Sequence, residues 1–198
     1  MSQVLFKSCS GVTQLPIESV FLAERKIFIE GEINDEVASE FCKQVLYLNH
    51  EDPQQPIDVY IHSPGGEIQA GLQIYDVLQL SQAPIRTICL GKAYSMAALL
   101  FASAKRRLML PNSEIMLHEP LLGNRIGGNS SSIQSVCDSL QATKRKMNAL
   151  LAKHTGKTEA EIAQAVAYDH FFGAEEALAF NLCDAIIRDL NELLLKEE

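Results

Sequence analysis

The run Met96-Ala97-Ala98-Leu99-Leu100-Phe101-Ala102 is apolar on every side. A helix without a polar face has to sit in the protein interior. It follows residues 85–90, Ile-Arg-Thr-Ile-Cys-Leu, which have strand composition. The chain therefore passes from strand to buried helix through Gly91-Lys92-Ala93-Tyr94-Ser95. A serine at such a turn presents its hydroxyl beside the first free N–H groups of the helix. Those donors and the helix dipole can stabilise an oxyanion formed on an attacked carbonyl. Serine alone is a weak nucleophile, so a base and a group to orient that base are required. His118 and Asp169 are the candidates.

The same alternation extends along the chain. Residues 1–23 show weak periodicity and are expected to form an arm or loop, after which Lys26-Ile27-Phe28-Ile29-Glu30 reads as a strand stopped by Gly31. Asn34 is a good cap for a helix with Val37, Phe41, Val45 and Leu48 as its apolar stripe. Asp52-Pro53 and Pro56 mark a turn before a strand at 57–61, which ends at Ser63-Pro64-Gly65-Gly66. A helix over about 67–81 buries Ile68, Leu72, Tyr75 and Leu78. Leu108-Met109-Leu110 and Ile115-Met116-Leu117 are further strands separated by Pro111-Asn112, and the second delivers His118.

Residues 123–132 are flexible in composition and polar, and a long helix is expected over about 131–154. Ile133, Val136, Leu140, Met147 and Leu151 lie near heptad spacing there, with Lys144-Arg145-Lys146 interrupting the stripe. Such a helix fits an arm packed on another subunit or a solvated helix on its own core, and periodicity leaves both open. A short helix over 159–166, another starting at Ala174, a strand at 183–187 and a helical or frayed acidic tail complete the chain. Strands alternating with helices give an α/β architecture.

Composition narrows the setting. A length of 198 residues suits one large domain, and a 47% hydrophobic share fills a sizeable core. A net charge of −8 argues against a nucleic-acid partner. The longest apolar stretch, residues 96–104, is far short of the roughly 20 residues that span a bilayer, so no membrane partner is expected. The amino terminus lacks the plan of a secretion signal. The 5 cysteines, Cys9, Cys42, Cys89, Cys137 and Cys183, are scattered without a CxxC pair and read as free thiols of a reducing, cytoplasmic setting.

Taken singly, these motifs have ordinary explanations: Ser63-Pro64-Gly65-Gly66 as a tight turn, Ser95 as a cap, His118 as a structural histidine, Asp169 as a surface acid. Their combination and order do not. From about Arg25 to Ile187 the sequence resembles ClpP, the proteolytic subunit family of the Clp protease, a self-compartmentalising serine peptidase. The blocks that carry the resemblance include Tyr60-Ile61-His62-Ser63-Pro64-Gly65-Gly66, Ala93-Tyr94-Ser95-Met96, Leu110-Pro111-Asn112-Ser113, Ile115-Met116-Leu117-His118-Glu119-Pro120 and His154-Thr155-Gly156.

The resemblance implies a ClpP/crotonase-like α/β fold, a repeated ββα core with a protruding helical arm. It implies an amino-terminal axial segment over 1–24, a peptidase domain over 25–198 and a handle arm over about 122–155. Ser95 becomes the nucleophile, His118 the general base and acid, and Asp169 the orienting carboxylate. Gly66 and Met96 supply oxyanion N–H groups, while Glu67, Ile68 and Leu121 hold substrate as an extended strand. No cofactor or metal is expected. The partners implied are copies of the chain in a heptamer stacked to a tetradecamer or a second ClpP in a hetero-oligomer, an AAA+ Clp unfoldase, and unfolded polypeptide.

The sequence departs from the family pattern in several places, as a divergent paralogue does. The axial segment reads Ser10-Gly11-Val12-Thr13-Gln14-Leu15-Pro16-Ile17-Glu18-Ser19, unlike the family's usual stretch. Tyr60, Ile88, Leu90 and Leu110 keep a patch that in the family receives unfoldase loops, but Asp58 and Leu108 stand where aromatics are common. Tyr168 occupies an arginine position, and Glu119 a glutamine position. The alternative expectation is therefore a weakly active structural or regulatory ring subunit assembled with a more typical ClpP. A crotonase-type acyl-CoA enzyme needs no Ser-His-Asp set, and a Ser-Lys peptidase using Lys92 or Lys105 leaves His118 unexplained.

Overall fold

Three long runs rich in branched residues, β3 (Lys26–Ile33), β4 (Ile57–Gly66) and β5 (Ile85–Tyr94), lie side by side and parallel. β6 (Arg106–Met109) and the two-residue β9 (Ala185–Ile186) extend that sheet in parallel. β7 (Glu114–Leu117) pairs with the end of β5, and β8 (His170–Gly173) adds to β7 as an antiparallel strand. The result is the α/β architecture expected from the alternation, with the sheet parallel except at β8. The computed structural model describes residues 2–8, 11–123, 127–189 and 191–194.

Side-chain alternation divides the sheet into two faces. Ile27, Ile29, Val59, Ile61, Cys89 and Met109 join the main core, under α2 (Asp35–Glu51), α3 (Ile68–Leu80) and α4 (Met96–Ala102). Every side chain of α4 is buried, as an all-round apolar helix requires. The opposite face carries a smaller cluster, Tyr60, Ile88, Leu108 and Ile187, with Phe28, Leu90 and Leu110 against it. On that face Asp58 accepts two bonds from the guanidinium of its cross-strand neighbour Arg86, both at 2.7 Å. Asp58 therefore stands in the sheet as half of an ion pair rather than as a packing residue.

The Asn34 side chain caps α2, accepting from the Val37 N–H at 3.0 Å. Two local expectations change. Gly31 does not stop β3: it takes φ +70 as a bulge between Glu30 and Glu32, and pairing resumes to Ile33. The amino-terminal segment expected as an arm or loop contains a hairpin, β1 (Gln3–Ser8) with β2 (Gly11–Pro16), followed by α1 (Ile17–Ala23). Val4, Leu5 and Val12 are exposed there, so those apolar positions mark no buried face that alternation could reveal. Periodicity does not announce β8 either, because that strand is four residues long and only Phe172 on it is buried.

The long helix α5 runs over Ser130–Thr155, and its buried side chains, Met147, Asn148, Leu151 and Thr155, all fall in the last third. Of the segment expected as a handle, residues 124–126 lie outside the described residues, as do Cys9 and residues 195–198 of the tail. α6 (Glu159–Ala165), α7 (Ala174–Ala179) and α8 (Asn191–Leu194) follow. Cys42, Cys89 and Cys183 are buried free thiols, and burial pushes Cys89 up to about 12.

The base of α5 is held by a buried arginine. Arg107 donates to both carboxylate oxygens of Asp184, to the carbonyl and side-chain oxygens of Asn181, and to the His154 carbonyl. Burial, with help from the charges of Lys153 and Arg107, drives the His154 imidazole down to about 4, so the folded ring is neutral. Its Nε2 lies 2.9 Å from the Tyr75 hydroxyl on α3. An unfolded chain takes up a proton near pH 6.5 where the folded one does not, so stability falls as pH drops from about 6.5 toward about 4. His154→Gln removes that part of the acid sensitivity, worth at most about 1.4 kcal/mol per pH unit. Denaturant titrations of both proteins across this range check the difference.

Candidate active site

β5 ends at Tyr94, α4 begins at Met96, and Ser95 joins them with φ 55 and ψ −120. A positive φ on a non-glycine residue costs about 1–3 kcal/mol and needs support from its surroundings. That support is on both sides. The Ser95 N–H donates to the Met116 carbonyl of β7 at 2.8 Å, and the Ser95 carbonyl accepts from Ala98 N–H at 3.0 Å. The turn aims the hydroxyl away from α4, toward the end of β7.

His118 follows the last residue of β7, and its Nε2 lies 2.7 Å from Ser95 Oγ. With the ring protonated on Nδ1, the serine hydroxyl donates to Nε2, the arrangement that a general base needs. Asp169 immediately precedes β8, whose His170 pairs with Leu117 beside the histidine. Its Oδ1 is 3.9 Å from His118 Nδ1, an ion-pair separation longer than a hydrogen bond. The His118 side chain is 14% exposed and that of Asp169 67%. The three residues converge, with the carboxylate on the open side.

Glycines shape the other wall. A Cβ on Gly65 would stand 2.6 Å from the Tyr94 carbonyl oxygen and 2.8 Å from Ser95 Cβ, and one on Gly66 only 2.2 Å from the Ile33 oxygen. On α3, a Cβ on Gly71 would meet Met96 Cγ at 2.2 Å. Backbone thus touches backbone where β4 passes the Ser95 turn. Ser63, fully buried, fixes this corner: its hydroxyl donates to the Gly31 carbonyl at 2.6 Å and accepts from Gly65 N–H at 3.1 Å.

The sequence-derived oxyanion candidates fall at this corner. Met96 is the first residue of α4, where an N–H has no partner within its own helix. Glu67 N–H, and not that of Gly66, donates to the Ile33 carbonyl, so the ladder leaves the Gly66 amide on the side away from β3. Glu67 is exposed at the start of α3, Ile68 is that helix's first residue and half-buried, and Leu121 is 73% exposed. Among the described residues no cluster of histidine, cysteine or acidic side chains could hold a metal ion. None of the described helices is long and apolar enough to cross a membrane.

Some neighbours are invisible to sequence reasoning. Lys144 on α5 pairs with Glu119, tying the long helix to the segment just after His118. Tyr94 donates its hydroxyl to Glu114 Oε1 at 2.5 Å, a bond that, with burial, pushes the phenol up to about 12. Neither partner lies close in sequence. The aromatic run His170-Phe171-Phe172 is the one local signal that points to β8.

The fold and site together are an α/β sheet whose strand ends bring a turn serine against a histidine. The model of the family described as Clp protease matches residues 11–189. The chain belongs to the Clp protease family, a family of peptidases.

The close approach of Gly66 to Ile33, at φ +153, leaves no room for a side chain. Gly66→Ala is expected to destabilise the protein by about 2 kcal/mol or more, a cost that comes from backbone displacement rather than lost contacts. Chemical denaturation measures it.

Proposed function

We propose that this chain is a serine endopeptidase subunit that cleaves unfolded polypeptide through an acyl-enzyme on Ser95. The observation that carries the reading is the 2.7 Å approach of Ser95 Oγ to His118 Nε2 at a turn held in a strained conformation. Ser95 Oγ attacks the scissile carbonyl carbon while His118 Nε2 takes the hydroxyl proton. The carbonyl oxygen, now negative, accepts from the Gly66 and Met96 N–H groups. His118 then gives its proton to the leaving amine, and the C–N bond breaks. Water, deprotonated by the same imidazole, releases the acyl group and restores the serine. Asp169 holds the ring with Nδ1–H facing it and stabilises the imidazolium. Backbone at Glu67 and Ile68 on one side and Leu121 on the other lines an extended peptide, which reads main chain and tolerates varied side chains.

The same reading gives the assembly: heptameric rings, stacked into a tetradecamer in the cytoplasm, served by an AAA+ Clp unfoldase. Exposed Leu121, Leu122, Ile133, Tyr168 and Phe171 supply apolar surface for contact between copies. On the far face of the sheet, Leu90, Leu110 and Ile187 line a concavity of about 370 Å³, which suits an apolar loop of the unfoldase. The amino-terminal segment over 1–24 and the handle over about 122–155 are the proposed gate and ring-ring arm.

One observation favours a second reading, a structural or regulatory subunit assembled with another ClpP. Asp169 stands open to solvent and short of a hydrogen bond to His118, an arrangement of low intrinsic reactivity. A fluorophosphonate probe followed by mass spectrometry separates the two, because only an activated nucleophile is labelled.

Ser95→Ala is expected to lower peptide hydrolysis by at least about a thousandfold and to leave folding intact. Activity within about tenfold of wild type moves the chemistry to another residue. Asp169→Asn is expected to lower kcat by at least about a hundredfold by favouring the wrong imidazole tautomer. An unchanged kcat removes Asp169 from the mechanism.

A further inference from the structure

We propose that Tyr94 is a positioning residue for this reaction, fixing through one side chain the three strands that carry Ser95, His118 and Asp169. The inference rests on the functional reading of those three residues. Tyr94 ends β5 and directly precedes Ser95. Its hydroxyl donates to Glu114 Oε1 at 2.5 Å, and Glu114 is the first residue of β7, the strand that runs into His118. Its ring meets Phe171 edge-on, with centroids 5.7 Å apart and planes at 87°. Phe171 lies on β8, just beyond Asp169.

The strand register makes this grouping a consequence of the fold. Tyr94 pairs with Met116, and Met116 in turn pairs with Phe171, so the three form one row across the sheet. Partners in a row share a face, which brings the tyrosine and phenylalanine rings together on either side of Met116. The Ser95 N–H donates to the carbonyl of that same Met116.

The hold matters most for the carboxylate. Ser95 and His118 directly follow β5 and β7, which bury Ala93, Ile115 and Leu117 near the site, whereas β8 is an edge strand with Phe172 its one buried side chain. The edge contact with Tyr94 is a second anchor on β8, and Asp169 moves with that strand. With its titration moved up to about 12, chiefly by the bond to Glu114, the phenol remains a donor at neutral pH. Tyr94 touches neither imidazole nor scissile bond in this scheme and acts only through the strands it ties.

Three variants of the full chain test the idea. Tyr94→Leu removes both the hydroxyl and the ring contact, Tyr94→Phe removes the hydroxyl alone, and Glu114→Gln keeps an acceptor for it. The readouts are the rate at which Ser95 is labelled by a fluorophosphonate, and kcat and KM on a short fluorogenic peptide. Tyr94→Leu is expected to lose about tenfold to hundredfold in labelling rate and kcat, with KM within about twofold of wild type. Tyr94→Phe is expected to lose about threefold to tenfold, and Glu114→Gln to stay within about threefold of wild type.

A Tyr94→Leu protein that labels at the wild-type rate, or whose loss falls on KM, overturns the inference. Tyr94→Phe preserves the packing, so it decides the matter even where Tyr94→Leu does not fold: a rate equal to wild type overturns the proposal. Absence of label on wild-type Ser95 removes the functional reading and this inference with it. Label on wild type with unchanged variants removes the inference alone.

Discussion

The site depends on contact between main chains at distances that no side chain permits. At the end of β4, Gly65 lies against the Tyr94 carbonyl and Ser95, and Gly66 against Ile33, while on α3 Gly71 makes room for the Met96 side chain. These approaches bring the strand end, the Ser95 turn and the first N–H of α4 into one corner. Ser63 secures it by bonding the Gly31 bulge to the Gly65 amide, so the buried polar groups of an irregular turn find partners without water. Side chains then decorate a shape that the backbone has already made.

Strain at Ser95 is offset by what lies behind it. Each fully buried leucine or phenylalanine of α4 contributes about 1.5–3 kcal/mol, which exceeds the cost of one residue at positive φ. A single hydrophobic segment thereby anchors the turn that would otherwise relax. At the far end of the molecule Arg107 does comparable work with hydrogen bonds, joining β6 to the base of α5 and to the loop before β9. Removing one partner from such a network leaves others buried and unpaired, so its members hold one another in place.

Much of the fold is legible in the amino-acid order itself. The Asn34 cap, the β4 strand with its glycine turn and the buried helix after Ser95 all follow local rules of periodicity and punctuation. Ser95 and His118 pair only through the family resemblance, and their contact distance emerges only from the folded geometry. The amino-terminal hairpin escapes local rules because Val4, Leu5 and Val12 lie exposed on it, and Gly31 misleads because a glycine can bulge a strand as readily as end it. Tyr94 with Glu114 and Glu119 with Lys144 are contacts between distant segments. Nothing in the spacing of either pair marks them, since sheet register and helix placement, not sequence proximity, decide which side chains meet.

β8 is the outermost strand beside the site, and within the sheet it pairs with β7 alone. Short strands with few buried side chains open and close long before a domain unfolds. Asp169 stands at the threshold of β8, so its place depends on that strand. Under the proposed mechanism the orienting carboxylate is therefore only as fixed as that strand, and its 3.9 Å separation from His118 Nδ1 is set by how β8 lies on β7. Whatever presses β8 onto β7 then acts on the carboxylate's position without touching a reacting atom.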